Sequence, residues 1–329
     1  MINIYIDGIP YNSIFTRVSW SGELKTSCRT LEFDFLKEKI TDIDLGKKVI
    51  FEVDGLILFV GNIFSITNND KEQIKTVICR DVAYRLNRNY FIKNYYNENP
   101  SNIVKSILGE LGIAVGTLPQ DVKTCTYPAI DRTGYEIILT AYKIQASQTN
   151  KIYSMISAED KISIVEQGTQ IPNFTLKSNV NIRQSSYEKN LDEMINKVII
   201  YTTKKGVQNI VEVNSNQDEI NKYGTFQVVQ EKDENNSAYI ESNKILKGIY
   251  ESSNIICDGY TDLQAGYSVV VEVAGIQELK GVFLIESDSH TWQNGDYETN
   301  ISLAFENVMN DVDIEQAPKK GVWWTILIY

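Results

Sequence analysis

Apolar and polar residues alternate with a period of two in several short runs near the start of the chain. Residues 2–7 and 30–35 each place an apolar side chain at every second position, which is the period of a half-buried β-strand. Between two further runs stands Asp54-Gly55, a dipeptide that favours a type I′ hairpin turn. Many short strands with little helical periodicity predict a small β-barrel or sandwich over residues 1–85.

The periodicity changes between residues 86 and 170. Pro100 stands at the start of a set of apolar residues that share one helical face, and Gly112 follows that set. Proline at the first position and glycine after the last are typical of a helix. Thr133 and Glu136 have the spacing of a capping box, so a second helix is predicted after them. We expect residues 86–170 to form a mixed α+β domain.

Strand-like alternation returns between residues 196 and 213, and again between residues 267 and 305. A polar stretch rich in Asn, Asp, Glu and Gln separates the two regions. It contains one predicted strand and a predicted helix at 238–246, capped by Ser237. The chain is therefore predicted to be mainly β with an α+β component, and residues 216–259 are predicted to be an inserted strand and helix segment.

The charge of the chain excludes some classes of partner. Its net charge is −11, whereas nucleic-acid binding requires a basic surface to neutralise phosphates. No apolar stretch approaches the roughly 20 residues of a membrane helix, and the first eight residues lack the basic and apolar regions of a signal peptide. We expect no nucleic-acid partner and no membrane partner, and we expect the protein to be made and kept in a cytoplasm unless lysis releases it.

Histidine and cysteine, the usual residues of nucleophilic pairs and zinc sites, are scarce. Cys28, Cys79, Cys125 and Cys257 include no CxxC pair, so neither a zinc site nor a disulfide framework is expected. His290 is the only histidine, and a Ser–His or Cys–His pair would have to use it. No P-loop or GxGxxG motif for nucleotides is present. We assign no catalytic, cofactor-binding or metal-binding residue, and we expect no cofactor.

Three stretches of the chain resemble one family of proteins. In the order of their predicted elements and in their residue patterns they are similar to the XkdQ/YqbQ-type tail proteins of contractile phages and phage-derived bacteriocins. That family is related to the baseplate hubs of myoviruses and to the VgrG spikes of type VI secretion. The stretches are residues 79–104, which begin Cys79-Arg80-Asp81; residues 137–164, a predicted helix and hairpin; and residues 263–291, which end Ser289-His290-Thr291.

The resemblance implies a multidomain structural hub that forms a homotrimer, with two small tube-like β-barrels in each subunit. The first barrel is expected at residues 1–85, and the second, discontinuous barrel at 171–215 and 260–308. Six barrels would match a hexameric tail tube and adapt it to a trimeric central spike. The implied partners are the tail tube protein, the central spike and LysM-type baseplate proteins, in a phage or phage-like particle assembled in the bacterial cytoplasm and released on lysis.

Two other functions stay open as alternatives. A tail-associated cell-wall hydrolase needs two carboxylates, but Glu110 has no carboxylate partner at a meaningful spacing and is interpreted as surface charge. A glycan- or receptor-binding module could use Tyr90, Tyr95 and Tyr96 as a platform. The favoured interpretation of these tyrosines is that they pack the junction between the first two structural regions.

Residues 309–329 are predicted to be a linker and an apolar tail. Seven of the eight side chains in residues 322–329 are apolar or aromatic. A strand that is apolar on both faces must be covered on both. Two interpretations stay open: a final core strand of the same subunit, or a segment that docks between subunits or onto a neighbouring baseplate protein.

Overall fold

The computed structural model describes residues 2–12, 14–24, 26, 28–40, 42–68, 73–149, 151–233 and 237–305. These residues form two compact units. The first holds the described residues up to Ser185 and from Asn254 onward, and the second is Ser186–Ser253. The apolar tail predicted at 322–329 lies outside the described residues.

The N-terminal part of the first unit consists of strands. They are β1 (Ile2–Ile6), β2 (Ile9–Asn12), β3 (Phe15–Glu23), β4 (Thr30–Leu36), β5 (Lys48–Val53), β6 (Leu56–Asn68) and β7 (Ile74–Asp81). In the turn between β5 and β6, Asp54 has φ 49° and Gly55 has φ 84°. Both residues of a type I′ turn need positive φ, so the predicted hairpin turn is confirmed.

A mixed region follows in the same unit. Its elements are α1 (Tyr84–Arg88), β8 (Tyr90–Glu98), α2 (Pro100–Glu110), β9 (Ala114–Val115), β10 (Cys125–Thr133), α3 (Gly134–Thr149), β11 (Tyr153–Ala158) and β12 (Lys161–Glu166). The predicted capping box of α3 is present. The backbone N–H of Thr133 donates to Glu136 Oε2 at 2.8 Å, and the backbone N–H of Glu136 donates to Thr133 Oγ1 at 3.2 Å.

The rest of the chain alternates between the two units. Its elements, in chain order, are β13 (Thr175–Lys177), β14 (Ile182–Asn190), β15 (Lys197–Lys204), β16 (Val207–Ser215), α4 (Gln217–Tyr223), β17 (Gln227–Glu231), α5 (Ala238–Ile245), β18 (Tyr250–Asp258), β19 (Ser268–Glu272), a short 3-10 helix (Gln277–Leu279), β20 (Lys280–Gln293) and β21 (Asp296–Ala304). No helix among the described residues is long and apolar enough to cross a bilayer.

One large sheet dominates the first unit and confirms the mainly β class. Among the described residues it has thirteen strands, in the order β14-β18-β21-β20-β3-β4-β7-β6-β5-β1-β2, with β19 paired to β20 and β13 paired to β19. The antiparallel pairing of β3 with β20 places Trp20 opposite His290. This one pairing joins strands from the two ends of the chain into a single sheet.

Two apolar cores lie in the first unit. One fills the N-terminal strands with alternating residues such as Ile4, Phe33 and Phe51, all fully buried. The other packs α2 and α3 onto the mixed region and includes Ile107 and Tyr142. The period-two and helical patterns of the sequence correspond to the side chains that face these cores.

The second unit differs from the boundaries expected from the sequence. β15 and β16 were expected in the second barrel, but they form a separate sheet with β17 in the order β16-β15-β17. The pairing of β15 with β17 is parallel, and β15 with β16 is antiparallel. Alternation identifies a strand but carries no information about its partner, so residues 197–215 could not be assigned to a sheet from the pattern.

Candidate functional site

Arg29 connects both ends of the chain through buried ionic contacts. Its Nη1 donates to Asp288 Oδ1 at 3.0 Å, and its Nη2 contacts the second oxygen of the same carboxylate. Its backbone N–H donates to Asp81 Oδ2 at 2.9 Å. All three residues are buried. Arg29 therefore ties the start of β4 to the end of β7 and the middle of β20.

The Asp288 carboxylate is stabilised in its charged form. Burial disfavours the charge, but the adjacent Arg29 and the hydrogen bond to His290 outweigh it, so the pKa of Asp288 lies below its ordinary value. The backbone N–H of Ala265 also donates to Asp288 Oδ1, at 2.7 Å. A buried carboxylate needs this number of donors, because each lone pair left without one costs free energy.

His290 is held by hydrogen bonds on both ring nitrogens. Its Nε2 lies 3.0 Å from the carbonyl oxygen of Leu263, so this nitrogen carries the proton and donates. Nδ1 then accepts from the hydroxyl of Tyr297 at 3.0 Å. Thr299 Oγ1 lies 3.2 Å from the same nitrogen. The ring is completely buried.

Trp20 packs against both Arg29 and His290 of this network. The Arg29 guanidinium lies 3.8 Å from the centroid of the Trp20 ring, and the His290 ring centroid lies 4.8 Å from it. A desolvated cation over an indole face is stabilised by about 2 kcal/mol. We call Arg29, Asp81, Asp288, His290 and Trp20 the ionic junction.

Asp81 extends the ionic junction to the mixed region. Its Oδ1 accepts from the backbone N–H of Ala83 at 3.0 Å, and it is also hydrogen-bonded to Ser157 of β11. Burial raises the pKa of Asp81 from 3.8 to about 6, against the lowering effect of these hydrogen bonds. A cavity of about 20 Å³ beside Arg29 and Ser157 is large enough for one water molecule.

Asp288, His290 and Thr299 form a contact chain of a carboxylate, an imidazole and a hydroxyl, as a catalytic triad does. The burial of the side chains argues against that use. All three residues are less than a tenth exposed, whereas a nucleophile has to reach its substrate. Within the described residues, no group of three or more His, Cys, Asp or Glu side chains could hold a metal ion. The arrangement of the ionic junction can fix the sheet and the mixed region against each other.

The other residues singled out in the sequence lie elsewhere. Glu110, at the last position of α2, forms an exposed ion pair with Lys93, with 2.5 Å between Nζ and Oε1, in agreement with its interpretation as surface charge. The four cysteines are free. Burial raises the pKa values of their thiols, to about 11 for Cys28 and Cys125. They are therefore protonated thiols at neutral pH.

The tyrosine cluster is divided between core and solvent. Tyr95 packs on the core of the mixed region, with its ring centroid 5.1 Å from that of Tyr127. Tyr90 and Tyr96 are 64% and 78% exposed, so the prediction that all three pack a junction is wrong for these two. Residues that alternate along a strand point to opposite faces, and Tyr90 and Tyr96 follow the outward period of β8.

These two tyrosines belong to an apolar surface that the sequence analysis missed. Ile92 is 70% exposed and lies opposite Ile130, also exposed, in the pairing of β8 with β10. Exposed apolar patches on soluble proteins mark interaction sites. The sequence signal was the presence of Tyr90, Ile92 and Tyr96 at alternate positions, interrupted by Asn94. We call Tyr90, Ile92, Tyr96 and Ile130 the β8–β10 face.

A family model described as YQBQ-like matches residues 18–304 of this chain. The protein YqbQ of Bacillus subtilis (strain 168) is 24% identical over 308 residues, which cover 89% of this chain and 93% of the relative. The phage-like element PBSX protein XkdQ of the same organism is 24% identical over 275 residues, which cover 80% of this chain and 83% of the relative.

A solved structure shares the fold. The 43 kDa tail protein of prophage MuSo2 from Shewanella oneidensis superposes with a TM-score of 0.68 at 14% identity. The match covers 92% of this chain and 97% of the tail protein. Since the match spans nearly all of both proteins, it includes the large sheet and the mixed region of this chain.

Proposed function

The chain belongs to the YqbQ-like family, and from this premise we propose that it is a structural hub protein of a contractile phage-type tail. In this proposal it forms a trimeric ring that adapts the hexameric tail tube to the trimeric central spike. The names of similar proteins support a tail role: XkdQ belongs to a phage-like element, and the MuSo2 protein is a prophage tail protein.

The observation that carries the proposal is the curvature of the large sheet on both sides of the β3–β20 pairing. On the N-terminal side, Phe51 of β5 and Trp292 of β20 are in ring contact at 5.1 Å, although four strands separate β5 from β20 in the sheet. A flat sheet would separate them by about 24 Å, at about 4.8 Å per strand. The sheet therefore curls around its core, as a tube-like barrel does.

The C-terminal side curls as well. β13 and β14 stand at opposite ends of the strand order β13-β19-β20-β21-β18-β14, yet a bridge pairs Ser178 with Ile182. The Asn181 side chain accepts from the backbone N–H of Lys177 at 2.8 Å, and the Asn181 carbonyl accepts from the backbone N–H of Asp258 at 2.9 Å. These contacts bring the two ends of the strand order together.

Two curled halves in each chain give the number of tube-like parts that an adapter between six-fold and three-fold symmetry needs. Three chains present six tube-like units, the number that a hexameric tube requires, while the assembly keeps three-fold symmetry. In this proposal the N-terminal tube-like half is formed by residues 1–85. The C-terminal tube-like half is formed by residues 175–185 together with 254–304. Tail tube protein, central spike and LysM-type baseplate proteins are the partners in this scheme, and the chain functions within a tail particle.

The oligomeric state in the presence of the tail tube protein tests the proposal. Light scattering on the purified chain, alone and with tube protein, should give a trimer that binds the end of the tube. A stable two-fold dimer in the assembled tail would contradict it. Peptidoglycan incubated with the chain should release neither reducing sugars nor new amines, and turnover abolished by replacing one carboxylate would favour the hydrolase alternative.

A glycan- or receptor-binding module is the second candidate, because Tyr90 and Tyr96 present exposed rings. Aromatic rings with a wet hydroxyl suit both sugars and protein partners. Glycan binding abolished by Tyr90→Ala or Tyr96→Ala, in a chain that still forms trimers, would assign the β8–β10 face to ligands. Loss of assembly in the same variants would assign it to the ring.

A further inference from the structure

A groove of about 440 Å³ lies between the turn before β5 and helix α1. Its lining includes Leu45, Phe64 and Arg85. Leu45 is 60% exposed and Phe64 is 45% exposed, so both apolar walls face solvent. The groove lies on the first unit, outside the ionic junction, apart from the Asp81 side chain that both share.

The groove is already formed in the chain. The backbone N–H of Gly46 donates to the carbonyl of Ile63 at 2.9 Å, and the Asn62 side chain donates to the carbonyl of Gly46 at 2.9 Å. Phe64 packs edge-to-face on Tyr84, with 4.7 Å between the ring centroids. Because these backbone groups of the floor already have partners, an occupant gains most from apolar side chains set against Leu45 and Phe64.

The helix side of the groove carries arginines, and the one carboxylate in its lining, that of Asp81, is buried and already accepts hydrogen bonds from the backbone N–H groups of Arg29 and Ala83. Arg85 lines the groove, and Arg88 is exposed one helical turn further along α1. The contact of Arg85 is the carbonyl of Leu111, at 3.5 Å. Within the described part of the chain neither arginine pairs with a carboxylate, although the net charge is −11. Apolar walls beside the two arginines of α1 suit a segment that alternates acidic and apolar residues.

The sequence contains such a segment after the last described strand. Residues 311–315 read Asp-Val-Asp-Ile-Glu. In an extended conformation the period of two would place Val312 and Ile314 on one face and the three carboxylates on the other. We propose that the groove binds residues 311–315 of the same chain, with the apolar pair on Leu45 and Phe64 and the carboxylates at Arg85 and Arg88.

The chain is long enough to make this connection. The end of β21 and the Asn62 region of β6 lie at the same end of the sheet, five strand steps apart. Five steps are about 24 Å along the sheet at about 4.8 Å each, and the curl shortens the path through space. Nine residues lead from Phe305 to Ile314 and extend up to about 30 Å.

The same chain is favoured over a second copy by its effective concentration. A segment tethered by a short linker experiences millimolar effective concentrations, well above those of a second copy in dilute solution. The inference concerns the isolated chain and does not depend on the tail function, so either can fail without the other.

Photo-crosslinking of the full chain tests the inference. A benzophenone amino acid replaces Ile314, and equal amounts of ¹⁵N-labelled and unlabelled chain are mixed, irradiated and mapped by mass spectrometry. Crosslinks should reach residues 45–46, 62–64 or 84–88 and join peptides of the same isotope. Crosslinks elsewhere, or between peptides of different isotopes, overturn the proposal.

Charge variants complete the test. Arg85→Glu should lower the crosslink yield at least five-fold, and a second change, Asp313→Lys, should restore it. The matched control is Lys105→Glu, another exposed cation on a helix, which should leave the yield unchanged. If Arg85→Glu lowers the melting temperature, Leu45→Asp on the opposite wall provides the same test. A yield unaffected by Arg85→Glu, or by Leu45→Asp in that case, overturns the proposal.

Discussion

The ring of Phe51 packs edge-to-face against the ring of Trp292, with 5.1 Å between centroids and 73° between planes. The two residues are 241 positions apart in the sequence and lie on β5 and β20 of the same sheet. Their rings therefore meet across the N-terminal core, although four strands separate β5 from β20 in the sheet.

Removing the contact between Phe51 and Trp292 should destabilise the folded protein. Phe51→Ala should lower the free energy of unfolding by about 3–5 kcal/mol, because a large buried ring is lost and a cavity remains. A double-mutant cycle of Phe51→Leu and Trp292→Leu should give a coupling of about 0.5–1.5 kcal/mol, measured by urea unfolding. Leu56→Ala, at an exposed position of β6, is the control and should change little. Strict additivity of the two leucine changes would contradict the contact.

The buried Arg29–Asp288 pair should be sensitive to the loss of one partner. Arg29→Met leaves the Asp288 carboxylate buried without its cation, which costs about 3–5 kcal/mol. Replacing both residues, with Arg29→Met and Asp288→Leu, should recover much of the loss, because neither member of the pair is then left buried without the other. Chemical unfolding at pH 7 measures both.

The control for that pair is an ion pair on the surface. Arg183→Met removes the contacts of Arg183 with Asp258 and Asp296, which are exposed, and should change the free energy of unfolding little, because solvent and salt screen exposed ion pairs. A loss in Arg183→Met as large as that in Arg29→Met would show that burial does not determine the effect.

Asp81 should make the protein less stable as the pH rises from about 4 to about 6. Its pKa is raised to about 6 in the folded state, from an ordinary value of 3.8. Between these values the folded chain keeps a proton that the unfolded chain loses, so the free energy of unfolding falls by up to about 1.4 kcal/mol per pH unit. The effect is complete above pH 6 and absent below 3.8.

Urea unfolding at pH 4, 5, 6 and 7 measures this slope. Asp81→Asn should remove the decrease contributed by this residue, whatever its effect on absolute stability. Asp288 acts in the opposite direction, because its pKa is lowered and its stabilising contribution decreases as the pH falls toward and below 3.8. It is present in both proteins, so the comparison of their slopes isolates Asp81. Equal slopes for Asp81→Asn and the unchanged protein between pH 4 and 6 would refute the assignment.

The β8–β10 face should be needed for assembly and not for folding of the isolated chain. Ile92→Lys places a charge on a surface that is already exposed, so the melting temperature should stay within about 2 °C. Trimer formation with tube protein should be lost, because an obligate interface is largely apolar. Leu56→Lys is the matched control, since it adds the same charge to another exposed apolar position. Normal assembly of Ile92→Lys would exclude the β8–β10 face from the interface.

Local signals in the sequence predicted local structure well. The Asp54-Gly55 turn and the Thr133–Glu136 capping box depend on residues at most three apart, and both are present. The family resemblance, carried by residues such as 79–104 and 263–291, is confirmed by the matched family model.

Nonlocal relationships could not be predicted in the same way. Arg29 and Asp288 are 259 residues apart, and nothing in the local pattern of either indicates the other. The parallel partner of β15, strand β17, follows an intervening strand and helix, so alternation alone left β15 in the wrong sheet. Tyr90 and Tyr96 were expected to pack a junction, but both are exposed. A strand in a two-stranded sheet can leave one face open.

The β3–β20 pairing has a consequence for how the protein is made. β3 ends at Glu23 and β20 begins at Lys280, so about 260 residues are translated between two neighbours in the sheet. At about 5–20 residues per second a ribosome needs on the order of 10–50 s for that interval. During it, one edge of β3 offers unpaired backbone groups to other nascent chains. The large sheet is therefore completed only late in synthesis, and fragments that end before residue 280 should aggregate even though the N-terminal core residues are all present.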